Sequence, residues 1–171
     1  MEIIKIKAEK LTKEKFAPYG DLIGFQDSTP LISNDILKFW PCQSLTDTES
    51  GVCQFAWLEI ECQKINICEK LDRHLSSNEA NIPIKGQSII VVALAEDINN
   101  TKSQIDINSI KTFFLNTKQA INIKRGIWHS APFAISSKAS FVVVFDKEVH
   151  IKDMITIDLK KEHNISFNLT I

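Results

Sequence analysis

Long hydrophobic runs are missing from this sequence. The longest, such as Ile89–Ala95 (IIVVALA), fall far short of the ~20 residues a membrane-crossing helix needs. The opening MEIIKIKAEK mixes charge with apolar residues and has no continuous apolar core of a secretion signal. An excess of charge of one sign is also missing. Twenty Lys and Arg face 21 Asp and Glu, for a net charge of -1. That argues against a basic nucleic-acid footprint and against a polybasic membrane surface, so neither partner is expected. The four cysteines, Cys42, Cys53, Cys62 and Cys68, form no C-x-x-C pair, and free thiols in a cytoplasmic chain are expected. The sequons at Asn99, Asn164 and Asn168 then carry no weight. Glycine is scarce, with five residues, so Asn, Asp and Ser must carry many turns.

What is present reads as one globular domain over residues 1–171. Hydrophobic residues make up 44% and charged residues 24%, close to globular averages. LTKEKFAPYGDLI (Leu11–Ile23) reads as one short helix, capped by Thr12 and ended by Pro18 with Gly20. Beyond it the pattern is β. VCQFAWLEIE, KINICEKL, SIIVVALAE, IKTFFLN, AINIKRG, ASFVVVFDK, DMITIDLKK and ISFNLTI are short, β-branched or aromatic, and separated by turn signals. Many short strands with a single helix predict an all-β sandwich or small closed barrel. Trp40 and Trp57 are expected in the core, His150 and His163 on the surface, and VFDKEVHIKD as a solvated turn.

Two stretches carry candidate chemistry. In LDRHLSSNEANIPIKG (Leu71–Gly86), Asp72 and His74 are two apart and share a face of a strand, which sends Arg73 to the other face. Glu79 and Gly86 complete the layout D-x-H-x4-E-x6-G. It looks like the first cupin motif, H-x-H-x3–4-E-x6-G, with Asp72 in place of the first histidine. NIKRGIWHSAPF (Asn122–Phe133) resembles the second, P-x-G-x2-H-x3-N, through Gly126 and His129, with Lys124 and Phe133 replacing the proline and asparagine. Asp72, His74, Glu79 and His129 together would make an N2O2 ligand set suited to Ni, Fe, Mn or Zn. A carboxylate-binding pocket, a hydrogen-bonded core histidine and an ordinary polar turn remain alternatives.

Longer stretches resemble the ureidoglycolate lyase family, whose members are cupins. They are LTKEKFAPYGDLI, LDRHLSSNEANIPIKGQSIIVVA, and NIKRGIWHSAPFAI followed by SFVVVFD. The R-H…I-P and R-G-x-W-H pieces are the distinctive ones. The resemblance is strongest over residues 11–27 and 69–146, weak from Ser28 to Cys68, and leaves 147–171 as a C-terminal extension, read as an added strand pair or a dimerisation edge. It implies a double-stranded β-helix, a jelly-roll-like barrel with one short N-terminal helix. It also implies a cytoplasmic, homodimeric lyase that splits ureidoglycolate, a small 2-hydroxy acid, into glyoxylate and urea, helped by a divalent metal (nickel, or Mn, Fe or Zn) and no organic cofactor. The departures are Asp72 for a glutamate, Glu79 for a glutamine, Leu75 for a proline, Ser130 after the W-H pair, and Lys38 where an arginine is expected.

The expected roles follow. Asp72, His74, Glu79 and His129 are metal ligands, and His74, Glu79 and His129 do acid–base work. Arg125, Lys124 and Arg73, with Lys38, are candidates to meet the substrate carboxylate, and Trp128 to wall the pocket. For Arg73 the competing role is a salt bridge or dimer contact, and for Trp128 core packing. A metal-dependent dioxygenase or isomerase, and a non-catalytic carboxylate-binding cupin, are the alternative functions.

Overall fold

A computed structural model describes residues 2–24, 29–41 and 48–171. Cys42 lies outside the described residues. The chain runs through β1 (Glu2–Lys7), β2 (Glu9–Lys10), α1 (Lys13–Phe16), β3 (Gly20–Gly24), β4 (Ile32–Ser33), β5 (Lys38–Phe39), β6 (Cys53–Glu61), β7 (Ile67–Cys68), β8 (Lys70–Arg73), β9 (Glu79–Lys85) and β10 (Ser88–Ala93). It continues through β11 (Lys111–Leu115), β12 (Gln119–Ile123), β13 (Trp128–His129), β14 (Phe133–Ala134), β15 (Lys138–Asp146), α2 (Val149–Lys152), β16 (Ile155–Asp158), α3 (Leu159–His163) and β17 (Ile165–Thr170).

Two large sheets face each other. One has the order β3-β12-β9-β15-β6. The other has the order β16-β8-β13-β10-β11-β2, with β14 also pairing β10. Almost all the pairing is antiparallel, and the layout is the all-β, jelly-roll-like cupin architecture that the motifs imply. A third sheet, β1-β17-β7, lies against the outside of the second.

The SIIVVA strand explains the layering. Ile90 and Val92 of β10 point into the core between the two large sheets, beside Phe113, Ile121, Phe141 and Val143. Ile89, Val91 and Ala93 point the other way, against Leu71, Phe167 and Leu169. Both faces are covered, so the strand reads as a continuous apolar run rather than an alternating one. The edge strand β6 covers only one face. Its residues alternate strictly between exposed and half-buried.

Helix content is higher than expected. Helix α1 starts where Thr12 accepts a hydrogen bond from the Lys15 amide, and it buries Phe16. DMITIDLKK does not run as one strand. Asp158 accepts from the Lys161 amide at 3.0 Å and starts α3, which turns the chain into β17. α2 replaces the solvated turn expected around residue 150. The segment 147–171 is built into the sheets. β16 pairs β8, and β17 is flanked by β1 and β7 on its two edges.

Cys53, Cys62 and Cys68 are free thiols. Burial pushes the Cys68 thiol up to about 12. Trp57 is 60% exposed on β6, which corrects its expected place in the core.

Candidate active site

Both histidines come from the inner side of the second large sheet, and the carboxylate comes from the first. His74 directly follows β8, His129 closes β13, and Glu79 opens β9. β13 pairs with β8 at His129 and Asp72, which brings the two motifs side by side. The turn glycine of the second motif fixes His74. Gly126 has φ +79°, a conformation that favours glycine, and an added Cβ would come within 2.5 Å of the Ile98 carbonyl oxygen. Its amide donates to the His74 carbonyl at 2.6 Å.

The result is a compact cluster. The ligand atoms of His74, Glu79 and His129 all lie within 4.8 Å of one another. Glu79 Oε2 sits 3.4 Å from His74 Nε2 and 3.6 Å from His129 Nε2. The rings meet edge-on, with centroids 5.3 Å apart. The far nitrogens are pinned by backbone carbonyls. His129 Nδ1 lies 2.9 Å from the Ile127 oxygen and His74 Nδ1 lies 3.4 Å from the Asp153 oxygen. A carbonyl accepts only, so each Nδ1 carries a proton and each neutral ring turns its Nε2 lone pair towards Glu79. Asn81 donates to Glu79 Oε1 at 2.9 Å and leaves Oε2 facing the histidines.

Three acceptor atoms converging in this way need a cation between them, either a proton or a metal ion. Two imidazoles and a carboxylate with hydrogen-bonded outer atoms are a fitting donor set for a divalent ion. Without one, the charges respond to each other. Burial alone would raise Glu79, but the two imidazoles hold its carboxyl far below the usual carboxylate range. Burial opposes a charge on His129, yet the Glu79 carboxylate outweighs it and raises that imidazole.

The cluster forms the floor of a cavity of about 240 Å³, whose walls include Leu58, Val143, Phe145, Pro132 and Met154. Asp72, expected as a fourth ligand, lines the same cavity but stays outside the three-residue cluster. Its carboxylate accepts from the Thr156 hydroxyl across the β8–β16 pair.

The expected substrate-binding residues are elsewhere. Arg73 is fully buried on the opposite face of β8, with its guanidinium 4.6 Å above the Trp128 ring. It donates to the Asn100 carbonyl at 2.6 Å. Strand alternation places Arg73 and Trp128 together behind the histidines that follow them, so neither lines the cavity. Lys124 donates to the Ala17 carbonyl at 2.9 Å and ties the turn to α1. Arg125 is exposed on that turn and does not line the cavity. Lys38 lies exposed on β5. Among the described residues, no lysine or arginine lines the cavity.

Sequence reasoning missed four contributors. Asn81 sits two residues beyond Glu79 on the same strand face, so alternation could have found it. Asp153 accepts from the Leu75 and Ser76 amides at 2.7 and 2.6 Å and holds the loop after His74. His150 and Met154 line the cavity from α2 and the residues after it. No sequence signal marks these last three.

A profile of the ureidoglycolate lyase family matches residues 3–166. The chain belongs to the ureidoglycolate lyase family. The match runs well into the segment 147–171, so family membership covers β16 and the start of β17. The chain is 27% identical over 146 residues to a ureidoglycolate lyase of Escherichia coli (strain K12), covering 82% of this chain and 87% of the relative. It is 28% identical over 142 residues to one from Pseudomonas fluorescens (strain Pf0-1), covering 80% and 81%. Among solved structures, a TDP-fucose-3,4-ketoisomerase from Campylobacter jejuni aligns with a TM-score of 0.46 and 14% identity over 78% of this chain and 86% of that one. The motifs that marked this chain carry His74, Glu79 and His129. Among the described residues, no helix is long and apolar enough to cross a membrane.

Proposed function

We propose that the protein splits ureidoglycolate into glyoxylate and urea at the His74–Glu79–His129 cluster. The observation that carries this reading is the convergence of the three side chains on the floor of a cavity, in a chain of the ureidoglycolate lyase family. Ureidoglycolate bears a carboxylate, a hydroxyl and a urea nitrogen on one carbon. Cleavage removes the hydroxyl proton, forms the aldehyde and releases the nitrogen.

His74, Glu79 and His129 would hold a divalent ion, nickel or else Mn, Fe or Zn, and Asn81 would fix the carboxylate in its ligating orientation. Such an ion supplies Lewis acidity that lowers the pKa of the substrate hydroxyl. The pinned Nδ1 atoms keep both Nε2 atoms turned towards Glu79, where the ion would be held. Among the described residues no lysine or arginine lines the cavity, and the substrate carboxylate would draw its counter-charge from an ion held at the cluster. The apolar part of the wall strengthens that attraction.

The reading includes a homodimer in the cytoplasm. Leu31, Ile36 and Phe39, exposed on and around the β4–β5 ribbon, support self-association, and the free thiols of Cys53 and Cys62 support a reducing compartment. The test is glyoxylate release from ureidoglycolate by purified protein, before and after EDTA and with nickel restored. Release that falls with EDTA and returns with nickel is expected. No release from folded protein under either condition would refute the lyase reading.

A further inference from the structure

The cluster accounts for one of the two proton transfers that the cleavage requires. As the hydroxyl loses its proton and the carbonyl forms, the electron pair of the C–N bond goes to nitrogen. Urea leaves as a neutral molecule only if that nitrogen gains a proton in the same step. One proton departs and one arrives, and the two events lie at different atoms of the substrate.

The cluster serves the first event: Glu79 is its one carboxylate and takes the hydroxyl proton, which returns to solvent after urea leaves. Both imidazoles hold their Nδ1 protons on backbone carbonyls, and their Nε2 atoms face Glu79. Of the other polar groups on the cavity wall, Asp72 is engaged by the Thr156 hydroxyl, and Asn81 donates to Glu79 and is no acid. His150 is the remaining titratable side chain that lines the cavity among the described residues.

Its placement suits the second event. His150 rides on α2, with its ring 5.7 Å from the ring of Phe145, which lines the same cavity. Ala56, Val143, Phe145 and Met154 are among the apolar residues that line the cavity with it. The cluster is largely buried but His150 is exposed, so it can reload its proton from solvent between turnovers. Lys147 lines a neighbouring surface depression together with it, and the other charged groups close by along the chain are paired. Glu148, within electrostatic reach, pairs with Lys152, and Asp153 is taken up by Leu75 and Ser76.

We infer that His150 is the general acid that protonates the departing urea nitrogen, an assignment that rests on the lyase reading above. Steady-state kinetics of glyoxylate release, measured across pH on nickel-loaded protein, tests it. In His150→Gln, kcat should fall by about 100-fold or more, the ordinary contribution of a general acid, with KM changed less than threefold. The alkaline limb of the kcat profile should disappear. Free imidazole should restore turnover to His150→Ala. An exposed position on a short helix leaves folding intact, which matching melting temperatures would verify. An active wild type with His150→Gln within threefold in kcat would overturn this assignment and leave the lyase reading standing. A loss confined to KM, an unchanged pH profile at reduced rate, or no rescue by imidazole would also overturn it. A folded, nickel-loaded wild type that releases no glyoxylate would overturn both.

Discussion

Replacing Glu79 with glutamine in metal-free protein isolates the charge balance of the cluster. Each histidine offers an Nε2 lone pair to a carboxylate oxygen 3.4 or 3.6 Å away, so the metal-free site is stable only with a proton between them. At 3.6 Å and an effective dielectric constant near 20, an imidazolium and a carboxylate attract by about 4–5 kcal/mol. Desolvation offsets part of that, and removing one partner of a buried pair typically costs about 3–5 kcal/mol. Glu79 has a folded pKa below its ordinary 4.5, so its contribution is present above that value and is lost as pH falls. His129 has a folded pKa above its ordinary 6.5, so its contribution is present below that value and is lost as pH rises through the raised one. Stability from the pair should therefore be greatest between about pH 4.5 and 6.5 and fall on both sides. Urea unfolding in EDTA at a series of pH values measures it. Glu79→Gln should lose about 3–5 kcal/mol near pH 6 and flatten both limbs. A loss below about 1 kcal/mol, or a pH profile like the wild type's, would refute the account, since a surface pair contributes no more than that.

Three further outcomes are expected. Asn81→Ala should weaken nickel binding by about 10- to 100-fold in a chelator-competition titration, because the carboxylate loses its orienting donor, while a twofold change would deny Asn81 that role. Gly126→Ala should destabilise the fold in thermal denaturation and weaken metal binding, since the new Cβ meets the Ile98 carbonyl and displaces the amide that holds His74, and an unchanged melting temperature would contradict the crowding there. Phe141→Ala, in the core between the two large sheets, should cost about 3–5 kcal/mol by urea denaturation with metal affinity kept, and coupled loss of both would tie the core to the site more closely than the packing implies.

Much of the site was legible because strand alternation is a strict rule. Two residues of separation place Asp72 and His74 on one face, and the turn at Gly126 brings His129 beside them. The same rule sends Arg73 and Trp128 to the opposite face, where they stack on each other. A basic residue beside a histidine looks useful in sequence, but the pleat faces it away from the cavity. Asp72 stays outside the three-residue cluster for a different reason. Its hydroxyl partner, Thr156, arrives from β16, 84 residues later in the chain, and no motif marks it. His150 and Asp153 were out of reach because α2 owes its position to the sheets on either side of it. Its first turn follows Glu148, which takes a left-handed conformation that no local signal announces. The core strands were clear from composition, but the break at Asp158 was not, since no Gly or Pro separates the strand-forming MITI before this helix-capping aspartate from the LKK after it.

The parallel pairing of β1 with β17 has a consequence for synthesis. The Thr170 hydroxyl reaches the Ile6 carbonyl, a separation of 164 residues. At about 5–20 residues per second, β1 leaves the ribosome roughly 8–30 s before its partner strand exists. Through that interval Ile4 and Ile6, which later pack on the outer core, have no strand to lie against. The nascent chain therefore presents a sticky, unpaired leading strand for most of its translation. A chaperone that shelters that strand, or codon usage that speeds the final stretch, would shorten the period in which it can pair wrongly.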